Sequence, residues 1–305
     1  MRILLMLDWN RGRGGAEAYA ALLRDGLRAA GDEVRLLTSS AGTAGDGAAE
    51  YVAYGTEWAP AQALLQIANP MAARTVRRAV REFRPEVAWV NMFAHHLSPS
   101  AVSALGDVPK VLLVSDYKAV CPLGSKLLPD GSVCELSAGA NCLRSGCLSF
   151  PHWLRDQARY ARIAAVVAGF HRVLACSAWV QAELAKNGVA STVTMLPVAP
   201  PSASYRRQPA PVPTFFYCGR LDREKGVDVL LRAFARIRGE FPSAVLRMAG
   251  AGPRREELVG LAASLDLGDA ARFLGWLEPD EVERELGRAW VSVIPSRWAE
   301  PQGLV

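Results

Sequence analysis

Short apolar runs of strand length alternate with amphipathic helical stretches almost throughout this 305-residue chain, and that alternation narrows the fold choices most. Ile3–Leu7 reads as a buried strand. Tyr19, Leu22, Leu23 and Leu27 then recur at helical spacing, with Gly31 placed for a helix C-cap. Strand Val34–Leu37, a basic helix over 72–83, strand Val87–Val90, helix Ser98–Leu105 and strand Val111–Val114 continue the series. After an interruption come a helix over 152–168, strand Arg172–Ala175, helix Ala178–Lys186 and strand Thr192–Leu196. Repeated βα units predict a parallel sheet with helices on both faces.

Two segments break the rhythm. Residues 121–150 hold four of the six cysteines and show no periodicity, which predicts an inserted loop. Residues 197–213 hold six prolines and predict a linker. A second series follows: strand Phe215–Tyr217, helix Val227–Arg238, strand Val245–Met248 and helix Arg255–Leu265. It ends with strand Arg272–Leu274, helix Pro279–Gly287 and strand Val291–Ile294. The prediction is two doubly wound α/β domains, 1–200 and 209–305, with the second incomplete.

Charge limits the partners. The net charge is +5, from thirty Arg and five Lys against 30 acidic residues, with no basic tail. Nucleic acid is therefore not expected, while phosphorylated small molecules suit the arginine excess. Arg74, Arg78 and Arg81, and again Arg155, Arg159 and Arg162, recur on one helical face. Such stripes fit either a solvated face or peripheral contact with anionic lipid. No secretory signal is visible, and the longest apolar run is far short of a membrane span, so a cytoplasmic protein is expected.

Glycine-rich loops follow the strands. Gly14 and Gly15 lie in the first βα turn, where backbone amides approach an anion or a sugar. The turn lacks G-x-G-x-x-G, so a dinucleotide is not favoured. Arg220 and Lys225 sit in the glycine-bounded loop 219–226, and two fixed cations beside a helix start suit a diphosphate. The alternative is a solvated loop paired to Asp222 and Glu224. Gly250 and Gly252 form another strand-end turn, and Glu300 lies in the last one. His95 and His96 follow strand Val87–Val90 and are acceptor-side candidates, against the plainer reading of surface histidines. Asp116 is the ionisable group at the end of strand Val111–Val114, either catalytic or a turn residue.

The segments YCGRLDREKGVDVLL, MAGAGP, FLGWL and PSRWAEPQGLV resemble the donor domain of retaining glycosyltransferases of family four, which have the GT-B fold. GGAEAYAALLRDGLRAAGDEV, NMFAHHLSPS and DYKAVCPLG are similar to its first domain. The resemblance implies two Rossmann-like domains facing a cleft. It implies transfer of a sugar from a nucleotide-sugar to a saccharide, lipid-linked or small-molecule acceptor in surface-glycan biosynthesis, with no metal needed for catalysis. It gives Arg220 and Lys225 the donor diphosphate, Glu300 a catalytic place against the donor sugar, and Gly14, Gly15 and Gly250 the walls of the donor site. Glu300 matches the first glutamate of an E-x7-E element whose second member would fall beyond Val305. Ser115 stands where relatives usually carry a histidine that touches the transferred sugar. The alternatives are a nucleotide-sugar epimerase of the same fold and a non-catalytic nucleotide-sugar-binding remnant.

Cys121, Cys134, Cys142 and Cys147 are separated by twelve, seven and four residues. They lack the tight C-x2-C knuckle common in structural zinc sites. Either a structural zinc or free buried thiols fits them.

Overall fold

The computed structural model describes residues 1–9, 15–41, 49–195, 202 and 205–303. The chain divides into two units, one built mainly from residues 1–129 and 134–198 and the other from 199–303.

The first unit opens with β1 (Arg2–Met6), α1 (Gly15–Ala29), β2 (Glu33–Ser39) and β3 (Tyr51–Ala53). Then come α2 (Ala59–Leu65), α3 (Pro70–Phe83), β4 (Val87–Val90), α4 (Ser98–Ser103) and β5 (Lys110–Val114). It closes with α5 (Ala140–Arg144), α6 (Phe150–Ala168), β6 (Arg172–Ala175), α7 (Ala178–Lys186) and β7 (Thr192–Val193). The seven strands pair in the order β3-β2-β1-β4-β5-β6-β7, all parallel. In β1 both faces are buried: Ile3, Leu5 and Leu7 join Ala20, Val34 and Leu36 in one core, while Leu4 and Met6 are buried on the other face. Burial on both faces explains why β1 reads as an unbroken apolar run.

The second unit comprises β8 (Thr214–Cys218), α8 (Val227–Glu240), β9 (Val245–Ala249), α9 (Arg255–Ser264), β10 (Ala271–Gly275), α10 (Pro279–Arg288) and β11 (Val291–Ser292). Its order is β10-β9-β8-β11, again parallel. Leu230, Leu231 and Phe234 of α8 pack with Leu246, Met248 and Leu258 on one face, and Phe216, Ala249 and Ala289 close the other. Fully burying a Phe such as Phe216 or Phe234 contributes roughly 2–3 kcal/mol.

The structure differs from the sequence reading in three places. β3, α2 and α5 are three, seven and five residues long, too short to show a period. The last strand of each unit lies at a sheet edge and keeps only two residues. The two arginine stripes are unlike each other. Arg74, Arg78 and Arg81 are exposed along α3, whereas in α6 Arg162 is exposed, Arg155 is half-buried and Arg159 is 2% exposed, so the second stripe is broken by a buried arginine. Among the described residues no helix is long and apolar enough to cross a membrane.

A buried ion pair fastens the cysteine-bearing insert. Lys126 Nζ lies 2.8 Å from Glu183 Oε2 of α7, with both side chains almost wholly buried, and donates to the Leu136 carbonyl at 2.7 Å. Lys186 completes the cluster at 2.6 Å from Glu183 Oε1. Burial raises the Glu183 carboxyl, but the two lysines outweigh it and hold the group below its ordinary value. Removing one member of a buried pair strands the other. Lys126→Met should therefore cost about 3 kcal/mol, read as a lower urea midpoint, whereas Lys186→Met on the exposed side should cost under about 1 kcal/mol.

Candidate functional site

In an open parallel sheet, ligands bind beyond the carboxyl ends of the strands where the strand order reverses. The reversals here fall between β1 and β4 in the first unit and between β8 and β11 in the second.

In the second unit three strand-end loops are in close backbone contact. The Gly250 N–H donates to the Gly275 carbonyl at 2.7 Å, and the Leu221 N–H donates to the Ala251 carbonyl at 2.9 Å. Gly250 has φ +130°, and a Cβ there would lie 1.9 Å from the Gly219 carbonyl oxygen. Gly226, at φ +65° before α8, leaves no room either: its Cβ would lie 2.1 Å from the Pro295 oxygen. Both positions admit only glycine, for conformation and for space.

This scaffold brings Lys225 and Glu300 together across 75 residues of sequence, with Nζ 2.6 Å from Oε1. Ser296 Oγ and Trp298 Nε1 each donate to Glu300 Oε2 at 2.7 Å, and the Lys225 ammonium lies 5.2 Å from the Trp298 ring centre. Burial pushes the Glu300 carboxyl up, but the lysine and the two donors prevail and hold it below its ordinary value. Arg220 turns to its own loop. It pairs with Asp222 at 2.6 Å and with Glu224, and its side chain is 63% exposed. The predicted cation pair thus shares one loop but points to separate carboxylates.

Asp228, in the first turn of α8, escaped sequence reasoning. It accepts from Arg297 of the Glu300 loop and pairs with Arg254 at 3.3 Å after the Gly252 turn. Its partners lie 69 and 26 residues away, and nothing local marks it.

In the first unit, Gly14 lies outside the described residues, and Gly15 begins α1. Asp8, another residue missed, is fully buried just beyond β1. Its Oδ2 accepts the His95 amide at 2.8 Å, and its Oδ1 accepts the His96 and Leu97 amides at 2.9 and 2.8 Å. The Trp9 ring lies 4.6 Å from the His95 ring and 5.3 Å from His96. His95 Nε2 is 3.8 Å from Asp116 Oδ2, too long for a hydrogen bond but close enough for charge attraction. His96 is 2% exposed and lies within the fold, not on its surface. Burial raises the Asp116 carboxyl, and the His95 ring with the Lys118 amide, donating at 2.8 Å, brings it below its ordinary value. Ser115 Oγ donates to Asn91 Oδ1 at 3.3 Å.

Cys121, Cys134, Cys142 and Cys147 all line one pocket of about 20 Å³ in the insert, and all are free thiols. Burial pushes the Cys142 and Cys147 thiols up. Among the described residues no group of three or more Cys, His, Asp or Glu side chains is arranged to hold a metal ion.

Residues 14–199 match the family described as glycosyl transferase 4-like domain, and residues 206–305 match glycosyl transferases group 1. The glycogen synthase of Mycobacterium tuberculosis is 37% identical over 105 residues, 34% of this chain and 25% of that protein. An uncharacterized glycosyltransferase of Bacillus subtilis is 33% identical over 113 residues, 35% of this chain and 31% of its own length. The chain thus aligns with a third or less of either relative. The sucrose-phosphate synthase of Thermosynechococcus elongatus superposes with a TM-score of 0.71 at 20% identity, covering 99% of this chain and 77% of that one. Anabaena HepE, in complex with UDP, superposes at 0.62 with 16% identity, covering 97% and 74%. At these identities the structural matches establish a shared fold, the GT-B fold of glycosyltransferases.

The carboxylate cluster has a pH signature. A carboxyl held below its ordinary value of 4.5 contributes stability above that pH and loses it as pH falls through the lowered value. Between about pH 6 and about pH 3 the wild type should therefore lose more stability than Glu300→Gln, measured by urea unfolding at each pH.

Proposed function

The chain belongs to the glycosyl transferase 4-like family, and from that premise we propose that it moves a sugar from a nucleoside-diphosphate sugar to an acceptor hydroxyl with retention at the anomeric carbon. The observation that carries this reading is the Lys225–Glu300–Trp298 cluster at the strand-order reversal of the second unit, with Arg220 in the same loop. Lys225 and Arg220 receive the diphosphate, at the start of α8, where the helix dipole favours an anion. Glu300, released from Lys225 by the incoming phosphate, accepts hydrogen bonds from hydroxyls of the donor sugar.

The reaction is electrostatic in character. As the bond from the anomeric carbon to the phosphate oxygen breaks, negative charge grows on the diphosphate, and fixed cations stabilise it. The acceptor oxygen bonds to the same face of the anomeric carbon, and its proton passes to the departing phosphate. Asp116 and His95 serve the acceptor side. Structural neighbours described with UDP, and in one case with ADP and acarbose, support a nucleotide diphosphate in the donor site. The exposed arginines of α3 favour an acceptor presented at an anionic surface, as a cell-envelope glycan precursor is.

Titration calorimetry with UDP and ADP tests the donor site. Arg220→Ala and Lys225→Ala should each weaken nucleoside-diphosphate binding by more than about 1 kcal/mol. Unchanged affinity in both variants would remove the assignment. Sugar products formed without acceptor separate the alternatives: an inverted hydroxyl centre on intact donor means an epimerase, and binding without turnover means a binding protein.

A further inference from the structure

Asp8 is a fully buried carboxylate whose acceptor capacity is spent on one short turn of main chain. The division of labour between its oxygens matters. Oδ1 takes the His96 and Leu97 amides, and Oδ2 takes His95 alone. Ser39 Oγ donates to the Asp8 carbonyl, so the residue is also tied to β2. The adjacent Trp9 places its indole against the His95 ring, and Nε2 of that imidazole lies 3.8 Å from Asp116 Oδ2. Both His95 and Asp116 keep part of their side chains exposed, 19% and 30%. The charged groups around the imidazole are Asp116 and, bonded to the Asp116 carboxylate through its own amide, Lys118, with the Asp8 carboxylate behind the main chain. An aromatic face and a hydrogen-bonding ring therefore stand side by side where the strand order reverses, an arrangement suited to the apolar face and hydroxyl edge of a sugar.

We propose that Asp8 is a positioning residue for acceptor capture: it holds the His95 ring against Trp9 and beside Asp116, and Trp9 with His95 forms the platform for a saccharide acceptor. This rests on the transferase reading above.

Asp8→Asn tests it selectively. An asparagine can keep both Oδ1 bonds, but its amide group then meets the His95 N–H with a donor instead of an acceptor. His95 is displaced while His96 and Leu97 stay held. With four histidines in the chain, imidazole proton signals are resolvable by NMR, and His95→Asn assigns the one of interest. In the wild type the His95 signal should carry a ring-current shift from Trp9, and Asp8→Asn should abolish it while leaving His152 and His171 in place.

The kinetic arm uses methyl α-glucoside as the saccharide acceptor and whichever nucleotide-sugar the protein turns over. Asp8→Asn should raise the acceptor KM about tenfold, the loss of one such hydrogen bond, and alter the donor KM by less than about twofold. On a His95→Asn background the same change should add less than about twofold, because Asp8 acts through His95. Trp9→Leu, which leaves the three Asp8 bonds intact, should raise the acceptor KM in the same direction and serves if Asp8→Asn does not fold. An unmoved His95 signal, a parallel rise in both KM values, additive effects in the double variant, or donor turnover to water with no transfer to the glucoside would each overturn the proposal. If no nucleotide-sugar is turned over at all, the transferase reading fails, while the NMR arm still decides whether Asp8 holds His95.

Discussion

Parallel pairing is the constraint from which the rest of this molecule follows. Every strand pair in both sheets is parallel, so each strand must be left and rejoined through a crossover. All loops leaving strand ends then emerge along one edge of each sheet. At the reversal of strand order two neighbouring loops diverge, one to each face, and open a crevice. Lys225 and Glu300 meet at such a point because β8 and β11 are sheet neighbours, though 75 residues separate the two side chains. Asp8 and His95 meet at the equivalent point because β1 and β4 are neighbours.

Close backbone approach is the second condition. The Gly219, Gly250 and Gly275 loops touch through main-chain atoms, and any side chain at Gly250 or Gly226 would collide with a carbonyl oxygen. The cluster around Asp228 adds charge to this framework by linking Arg297 and Arg254 to the start of α8. The residues that touch a ligand in the proposed reaction are thus held by residues that do not.

Most of the architecture was legible because apolar runs of strand length alternate with helical periods, and Ile3–Leu7, buried on both faces, announces a central strand in composition alone. Short elements were not: Tyr51–Ala53 gives three residues, of which two are buried, and no period can be read from three. Helical spacing showed that Arg155, Arg159 and Arg162 share a face, but not that Arg159 is enclosed against α6's neighbours. In the site, the glycines and the cations Arg220 and Lys225 stood out because their loop is local. Their partners did not divide as the sequence suggested. Arg220 takes the nearby acids Asp222 and Glu224, while Lys225 takes a distant one. Asp8 carried no signal, since the three amides that define it lie 87, 88 and 89 residues downstream.

The internal pairing of Lys225 and Arg220 also governs which anions can compete for the loop. Each cation already has a carboxylate within salt-bridge distance, so an arriving anion gains only the difference between its own contact and the one it replaces. For chloride or a single carboxylate that difference is near zero, because one charge is exchanged for another of the same size. A diphosphate reaches both cations at once and pays the entropy of association only once. If the loop holds the donor diphosphate as proposed, this internal pairing would disfavour abundant small anions in the resting protein, before any substrate arrives.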